Sequence, residues 1–455
     1  MTRPTYFEAL DVPRLLREYP TGAEFPGRYR GMSTDELRAI QDSRFRRVMR
    51  RGWATPFYRR LWGREGIEPG DIYGLDDLHR LPVYDKSDIM ASVESHPPLG
   101  DATGMESYGK DAVPPMILHT TSGTTGAPQP LVFGPWGREV ANLLVGRMYT
   151  WLGMRSGDVV HSVYAHGMVN GGHYIREAVT HFTAATFLSA GTGVETPSVR
   201  QVRIMNRFGA TVLVGFVDYL RRLAQVAVEE GFQPGSDIPV RMIIGHMGPS
   251  GRLDVETAWG GIPAYDWYGV ADTGTVAGEG PDRDGMYVWE DAHFLEVLDP
   301  ETGGPAPRGD MVVTCLYKED LAPVIRFNTH DVTEWLPGMG RSGLVFRRIR
   351  GFMGRSDSMV KIRGINIYPD SLAGWVSARP GCTGAYYCRA TRTASGREEL
   401  VVVIESSGGD RSRLEAGLRN LLGIVVQVEL QPPGSTADIT GMERRQKPIR
   451  LIDER

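Results

Sequence analysis

Residues 159–164 read Val-Val-His-Ser-Val-Tyr, a short run rich in β-branched residues that predicts a buried strand. Similar runs recur at 184–188, 212–214 and 242–244, and helical patterns separate them at 138–153, 198–208 and 219–230. Strands that alternate with helices indicate βαβ units. The middle of the chain is therefore predicted to form a parallel sheet covered by helices.

Further along the chain the predicted strands come closer together, at 286–289, 294–298, 311–316 and 324–327. This spacing predicts a sheet or small barrel appended to the α/β part. After a glycine-containing linker near 351–355, strands at 400–404 and 425–430 alternate with helical patterns. The predicted fold class is thus α/β. A large N-terminal domain, 1–353, has several subdomains, parallel-rich sheets and a barrel-like sheet, and a small α+β domain, 354–455, follows.

Composition excludes several functional classes. The chain has 455 residues, 41% of them hydrophobic, and a formal net charge of -4, so it is neither disordered nor a basic nucleic-acid binder. Its three cysteines form no C-x-x-C pair, and no apolar run is long enough to span a membrane. We expect a cytoplasmic protein without nucleic-acid or membrane partners.

The most informative stretch is a loop that follows the strand predicted at 116–120. It reads Thr120-Thr121-Ser122-Gly123-Thr124-Thr125-Gly126-Ala127-Pro128. Glycines allow backbone N–H groups to point into one concavity, and the hydroxyls can donate to phosphate oxygens or bind Mg²⁺. The loop lacks the Gly-Lys-Ser/Thr of a Walker motif. Taken alone, it fits either a phosphate-binding loop or a plain surface turn.

Further motifs in the same order resemble the adenylate-forming superfamily, in its phenylacetate–CoA ligase-like branch. They are Tyr268-Gly269-Val270-Ala271-Asp272, the 324–331 stretch Val-Ile-Arg-Phe-Asn-Thr-His-Asp, the 354–364 hinge-like stretch and Gln446-Lys447-Pro448. The sequence departs from the family at Ala127, where the family has Lys, and at Asp272, where it has Glu. His246 and Met247 are also bulkier than the family's residues.

The resemblance implies a role for each matching residue. Lys447 and Asp272 would be catalytic, with Asp272 also holding Mg²⁺. Asp357 would be the hinge residue about which a mobile C-terminal domain, 354–455, rotates. The ATP-binding residues would be Thr121, Ser122, Gly123, Thr124, Thr125, Gly126, His246, Met247, Gly248, Tyr268, Gly269, Thr273, Asp331 and Arg355. The substrate pocket would be lined by Tyr164, His166, Asn170, Gly171, Phe216 and Tyr219.

The implied activity is ATP- and Mg²⁺-dependent adenylation of a small aryl or arylacrylic acid, with release of pyrophosphate and transfer to coenzyme A. One alternative keeps adenylation but uses a carrier-protein thiol or an amine as acceptor. Another activates a small oxyanion such as nitrite for reaction with an aryl amine. A third is a non-catalytic nucleotide-binding protein. Whether two copies of the chain form a homodimer is not decided by the sequence.

Overall fold

The computed structural model describes residues 3–109, 112–121, 128–248, 251–357, 360–363, 365–393, 396–441 and 448–455. The helices are α1 Val12–Glu18, α2 Glu24–Tyr29, α3 Thr34–Ala54, α4 Pro56–Arg64, α5 Lys86–Ser95, α6 Pro135–Trp151, α7 Asn170–Phe182, α8 Ser198–Phe208, α9 Val217–Glu229, α10 Arg252–Ala258, α11 Ala373–Ser377, α12 Arg411–Leu422 and α13 Ala437–Thr440. Short 3₁₀ helices cover Leu75–Arg80, Met105–Ser107 and Pro369–Leu372.

The strands are β1 Ile117–Thr120, β2 Pro130–Phe133, β3 Val159–Ser162, β4 Thr186–Ser189, β5 Val212–Phe216, β6 Met242–His246, β7 Ala264–Val270, β8 Gly274–Glu279, β9 Met286–Val288, β10 His293–Leu298, β11 Arg308–Cys315, β12 Phe327–Leu336, β13 Arg348–Ile349, β14 Val360–Ile362, β15 Ile365–Ile367, β16 Cys382–Arg392, β17 Glu398–Ser406, β18 Gln427–Gln431 and β19 Leu451–Asp453. β1 and β2 form a separate antiparallel hairpin.

One large sheet has the strand order β10-β11-β12-β13-β9-β8-β7-β6-β5-β3-β4. Its pairs from β4 to β7 are parallel, and its strands from β7 through β8 and β9 to β13 pair antiparallel. The α/β class and the parallel-rich sheet are thus confirmed. In the described residues the strand order has two ends, so the barrel-like part is an open extension of the sheet.

Helix α6 lies at the centre of the larger unit because nearly all of its residues are buried. Its charged side chains are paired within the protein, as buried charges require. Arg147 makes two hydrogen bonds to Asp291, at 2.7 and 3.0 Å, and both side chains are fully buried. This ion pair explains how a fully buried position of α6 can hold an arginine.

The chain divides into two compact units. The larger comprises Met1–His246, Asp254–Thr329 and Glu334–Gly351, and the smaller comprises Met247–Leu253, His330–Thr333 and Phe352–Arg455. In the smaller unit a four-stranded sheet, β18-β17-β16-β19, carries a core to which Val376, Leu414 and Leu418 contribute. The predicted α+β character of this region is confirmed.

Local predictions agree with the structure where the capping and turn chemistry are strong. The stretch Ser33-Thr34-Asp35-Glu36 predicts a helix start, and Pro56 predicts a break. The structure has α3 and α4 at these places, and Ser33 and Glu36 form a capping box at the start of α3. The strand predicted at 324–327 is wrong, because β12 begins only at Phe327. Arg326 has φ of 61°, a left-handed conformation that an extended strand cannot contain.

In the described ranges, no helix combines the length and apolar character needed to cross a bilayer.

Candidate active site

The two described ends of the predicted phosphate loop are joined to each other. The amide of Thr121 donates to the carbonyl of Gln129 at 3.0 Å, and the amide of Gln129 donates to the Thr121 hydroxyl at 3.3 Å. The hairpin register continues this pairing, since Thr120 lies opposite Pro130. Residues 122–127, which carry the predicted phosphate contacts from Ser122 to Gly126, lie outside the described residues.

Asp272 lies in the turn between β7 and β8, and the backbone of this turn is held from several sides. The buried Lys318 ammonium donates to the Asp272 carbonyl at 2.6 Å. The next carbonyl, of Thr273, accepts from the Tyr317 hydroxyl at 2.9 Å and from His293 Nε2 at 3.0 Å. The position of the Asp272 side chain is therefore set by a fixed turn.

The Asp272 carboxylate reaches the base of the phosphate loop. Gln129 Nε2 donates to Asp272 Oδ1 at 2.6 Å. Burial raises the pKa of the Asp272 carboxyl above its ordinary value, while the charges of Lys318 and Lys86 and the Gln129 hydrogen bond oppose that shift. The carboxylate therefore lies against the residue that closes the base of the predicted loop.

Two cations flank this carboxylate. Besides Lys318, the exposed Lys86 at the start of α5 donates to the Thr121 hydroxyl at 3.4 Å. None of Gln129, Lys318 and Lys86 is predicted from the sequence, because each contact joins residues that are distant in the chain.

Aromatic side chains gather where parallel strands end. The strand order of the sheet reverses between the neighbouring strands β3 and β5. Ligands of open α/β sheets bind at such points. Tyr164, just after β3, contacts Phe216 at the end of β5, with ring centroids 5.0 Å apart. The His246 ring stacks on Phe216 at 5.1 Å and lies 4.4 Å from Trp267. The structure thus brings three predicted site residues into one aromatic cluster, which we define as Tyr164, Phe216, His246 and Trp267.

The backbone beneath this cluster is tightly packed. Gly215 and Gly245 are register partners in β5 and β6. A Cβ atom on Gly245 would lie 1.7 Å from the Gly215 carbonyl oxygen. Only glycine permits this approach, which sets the spacing of Phe216 and His246 one residue further on.

The remaining pocket candidates have other surroundings. Gly171 faces Tyr164 closely enough that a Cβ would touch its ring at 3.4 Å. Asn170 accepts a hydrogen bond from the buried Arg138 through Oδ1. Tyr219 bonds to Ser198 at 2.9 Å and accepts from Gln201 at 3.1 Å. Gly171 therefore lies beside the aromatic cluster, while Tyr219 forms hydrogen bonds with side chains of α8.

His166 belongs to a group of three imidazoles beside β1. His119 stacks on His173 at 5.0 Å, and His166 meets His173 edge-on at 5.4 Å. Burial lowers the pKa of His119 to about 4, so it is neutral near pH 7. In the described residues, no group of three or more His, Cys, Asp or Glu side chains has the arrangement needed to hold a metal ion.

Further residues of the larger unit that are predicted to bind ATP lie in β7 and in the turn after it. Tyr268 is buried, and its hydroxyl donates to the Thr329 hydroxyl at 3.2 Å. Gly269 packs so closely on β8 that a Cβ would meet the Gly274 carbonyl oxygen at 2.3 Å. Thr273 is fully buried and donates to the Gly274 carbonyl at 3.2 Å.

The smaller unit brings Asp331, Arg355 and Asp357 together. Arg355 Nη1 donates to Asp331 Oδ1 at 3.0 Å, and its other nitrogens donate to Asp357 at 2.7 and 2.5 Å. Met247 and Gly248 also belong to this unit. Lys447 lies outside the described residues.

Comparison with known proteins gives matches along most of the chain. It is 30% identical over 437 residues to phenylacetate-coenzyme A ligase of Pseudomonas putida, covering 89% of this chain and 92% of the relative. It is 27% identical to phenylacetate-coenzyme A ligase of Thermus thermophilus, covering 92% of this chain and 97% of that one. No protein-family model matches the chain.

Solved structures agree with these relatives. A 2-hydroxyisobutyryl-CoA ligase in the postadenylation state, in complex with 2-HIB-AMP, has a TM-score of 0.83 at 28% identity and covers 95% of this chain and 92% of that one. The same ligase with 2-HIB-AMP and CoA has a TM-score of 0.68 at 28% identity, covering 96% and 94%. The chain is an adenylating enzyme of the AMP-forming acid–thiol ligase type, and it belongs to the phenylacetate–CoA ligase branch of the adenylate-forming superfamily.

Proposed function

We propose that this enzyme adenylates a small aryl or arylacrylic acid with ATP, releases pyrophosphate and transfers the acyl group to coenzyme A. The observation that carries the aryl assignment is the aromatic cluster at the strand-order reversal. Flat aromatic walls with few polar groups suit a planar apolar acid. The coenzyme A acceptor is supported by the relatives, which are named as coenzyme A ligases.

The ATP-binding part of the proposal assigns Thr121 and the loop after it to the β- and γ-phosphates. Lys86 adds a positive charge at the Thr121 hydroxyl. In the smaller unit, Asp331 would accept the ribose hydroxyls, because a carboxylate has several lone pairs, and Arg355 orients that carboxylate. Tyr268 would stack on the adenine.

The donor set near Asp272 fits Mg²⁺. This cation is usually held by one or two carboxylates together with substrate phosphates, so a single carboxylate beside a phosphate loop is sufficient. Asp272 Oδ2 would be its protein ligand. Bound there, Mg²⁺ would neutralise charge on the phosphate oxygens.

Lys447 is proposed to contact the attacking carboxylate and the α-phosphate, because two anions must approach each other in the first step. Rotation of the smaller unit at Asp357 would then admit the thiol for the second step.

A cytoplasmic setting belongs to the same proposal, supported by three free cysteines, Cys315, Cys382 and Cys388.

The test is pyrophosphate release from ATP and Mg²⁺ with a panel of benzoic, phenylacetic, cinnamic and short aliphatic acids. We expect turnover with aryl acids that is at least tenfold faster than with aliphatic acids. Mass analysis with and without coenzyme A should then show an acyl-CoA product. Turnover confined to aliphatic acids would contradict the aryl assignment, and an acyl adenylate that accumulates despite coenzyme A would indicate a carrier thiol or an amine as acceptor.

A further inference from the structure

We propose that Gln129 is a positioning residue that fixes how Asp272 meets the divalent cation bound to ATP. The inference rests on the proposed function, because it deepens the role assigned to Asp272. Gln129 is 1% exposed, and its side chain makes a short hydrogen bond from Nε2 to Asp272 Oδ1, at 2.6 Å.

The hydrogen bond assigns different tasks to the two carboxylate oxygens of Asp272. An ionised carboxylate only accepts, so the amide of Gln129 must be the donor. Asp272 is thus held at its carboxylate by Gln129 and at its backbone carbonyl by Lys318, at 2.6 Å. Oδ2 is then presented to the cation in one orientation, and near-octahedral Mg²⁺ requires such accuracy.

The second polar atom of Gln129 also points to this role. In the described part of the chain, Gln129 Oε1 is buried without a hydrogen-bond partner. Gln129, Asp272 and Lys318 line the same cavity. Buried polar atoms are normally paired. A water molecule in the cation's hydration shell would supply the missing donor.

Gln129 also links the carboxylate to the phosphate loop. Its backbone is bonded in both directions to Thr121, at 3.0 and 3.3 Å, and so closes the loop at its base. The residue that closes the loop is therefore the residue that holds Asp272.

The first experiment measures Mn²⁺ binding to the ATP-loaded protein by electron paramagnetic resonance, with no acid present. Gln129→Met keeps the length of the side chain and removes its donor. We expect Mn²⁺ to bind roughly tenfold more weakly to this variant. The Mg²⁺ concentration for half-maximal pyrophosphate release should rise similarly, while KM for the acid stays unchanged. Gln129→Ala serves as a second variant with the same expectation, should Gln129→Met fail to fold.

The matched control is Gln41→Met. Gln41 is also buried and donates through Nε2 to the Glu290 carbonyl at 2.8 Å, away from the site. Loss of the hydrogen bond from Gln41 should leave the affinity of the protein for Mn²⁺ unchanged. Equal weakening by both substitutions would reflect general loosening of the protein and would overturn the proposal, as would unchanged Mn²⁺ affinity in folded Gln129→Met.

A double-mutant cycle tests whether Gln129 acts through Asp272. In an Asp272→Ala background, Gln129→Met should change Mn²⁺ affinity by less than about twofold, because the group it positions is gone. A full additional loss would overturn the positioning role. If the wild-type protein released no pyrophosphate with any acid while the Mn²⁺ results came out as expected, the proposed function would fail and the role of Gln129 would stand.

Discussion

Lys318 shows how one side chain serves both the fold and the site. Its ammonium is buried, donates to the Asp272 carbonyl at 2.6 Å and lies 5.3 Å from the centre of the Phe133 ring. A buried cation needs such partners because its desolvation is costly. The backbone that carries the proposed cation ligand is thus held by a charge that also favours the anionic form of Asp272.

A second residue whose protonation follows from its surroundings is His161. It is fully buried, and Nε2 donates to Gln201 Oε1 at 2.8 Å. Burial lowers the pKa of His161 to about 4, whereas an unfolded chain titrates near pH 6.5. Between these values the unfolded state binds more protons, so stability from this group is complete above about pH 6.5 and is lost as the pH falls towards 4.

His161→Gln should therefore weaken the acid dependence of stability. We expect the loss of unfolding free energy between pH 7 and pH 4.5 to be smaller in the variant, by at most about 3 kcal/mol. Urea unfolding of both proteins at the two pH values measures this difference. Parallel curves for the two proteins would show that His161 does not supply this acid sensitivity.

At Asp331, the proposal concerns binding of ATP. Asp331→Asn keeps the shape of the side chain but removes the charge paired with Arg355 at 3.0 Å. We expect KM for ATP to rise roughly tenfold, because a charge-assisted acceptor is lost. Initial rates of pyrophosphate release at varied ATP measure it.

Glu334→Gln is the control for Asp331→Asn. Glu334 lies on the same strand and also pairs with an arginine, Arg350, at 3.3 Å. The Glu334→Gln variant should have the same KM for ATP as the wild-type protein. The same increase in both variants would remove Asp331 from the ribose site.

At the scale of elements, β5 and β6 are as close as their backbones allow. The Gly215–Gly245 pair brings the strands together immediately before Phe216 and His246, whose rings stack at 5.1 Å. The spacing of these strands is therefore part of the geometry of the aromatic cluster.

Gly245→Ala should destabilise the protein strongly. The new Cβ would lie 1.7 Å from the Gly215 carbonyl oxygen, and backbone atoms of a central strand cannot move aside easily. We expect a loss of about 3 kcal/mol or more, measured by chemical denaturation. Gly63→Ala in α4, where a Cβ would meet no atom within 4 Å, is the control and should be neutral or slightly stabilising. A stable Gly245→Ala protein would contradict the close approach.

For the whole molecule, the proposed chemistry depends on both units. Lys447→Ala should reduce acid-dependent pyrophosphate release at least a hundredfold while ATP still binds, because the lysine is assigned to the reacting groups rather than to the nucleotide. Equilibrium ATP binding and pyrophosphate release are measured on the same preparation. Arg455→Ala removes a cation from the same tail, one that pairs with Asp453 at 2.7 Å, and should keep normal turnover. Unchanged release in Lys447→Ala would exclude Lys447 from the first step.

The sequence predicted the fold where local chemistry is decisive. Capping at Ser33, the break at Pro56 and the β-branched runs of β3, β5 and β6 all report structure within a few residues. Arg326 misled the strand prediction at 324–327, because a left-handed conformation at a residue other than glycine leaves no local signal.

The site was predictable only as far as its motifs extend. Thr121, Phe216 and Asp272 stand in or next to recognisable patterns. Gln129 directly follows the quoted loop and Lys318 lies outside every motif, but neither contact is signalled by the sequence, because each is made with Asp272, which is 143 and 46 residues away in the chain. Such contacts are created by the tertiary fold, and one sequence carries no record of the pairing.

The short contact between Gln129 and Asp272 has a consequence for how this lineage could have diverged. With 2.6 Å already between donor and acceptor, the additional methylene of a glutamate at 272 would push its carboxylate into the amide. Restoring the family's glutamate alone should therefore impair the enzyme, and a smaller residue at 129 should relieve the defect. We therefore expect substitutions at 129 and 272 to be non-additive in their effect on turnover.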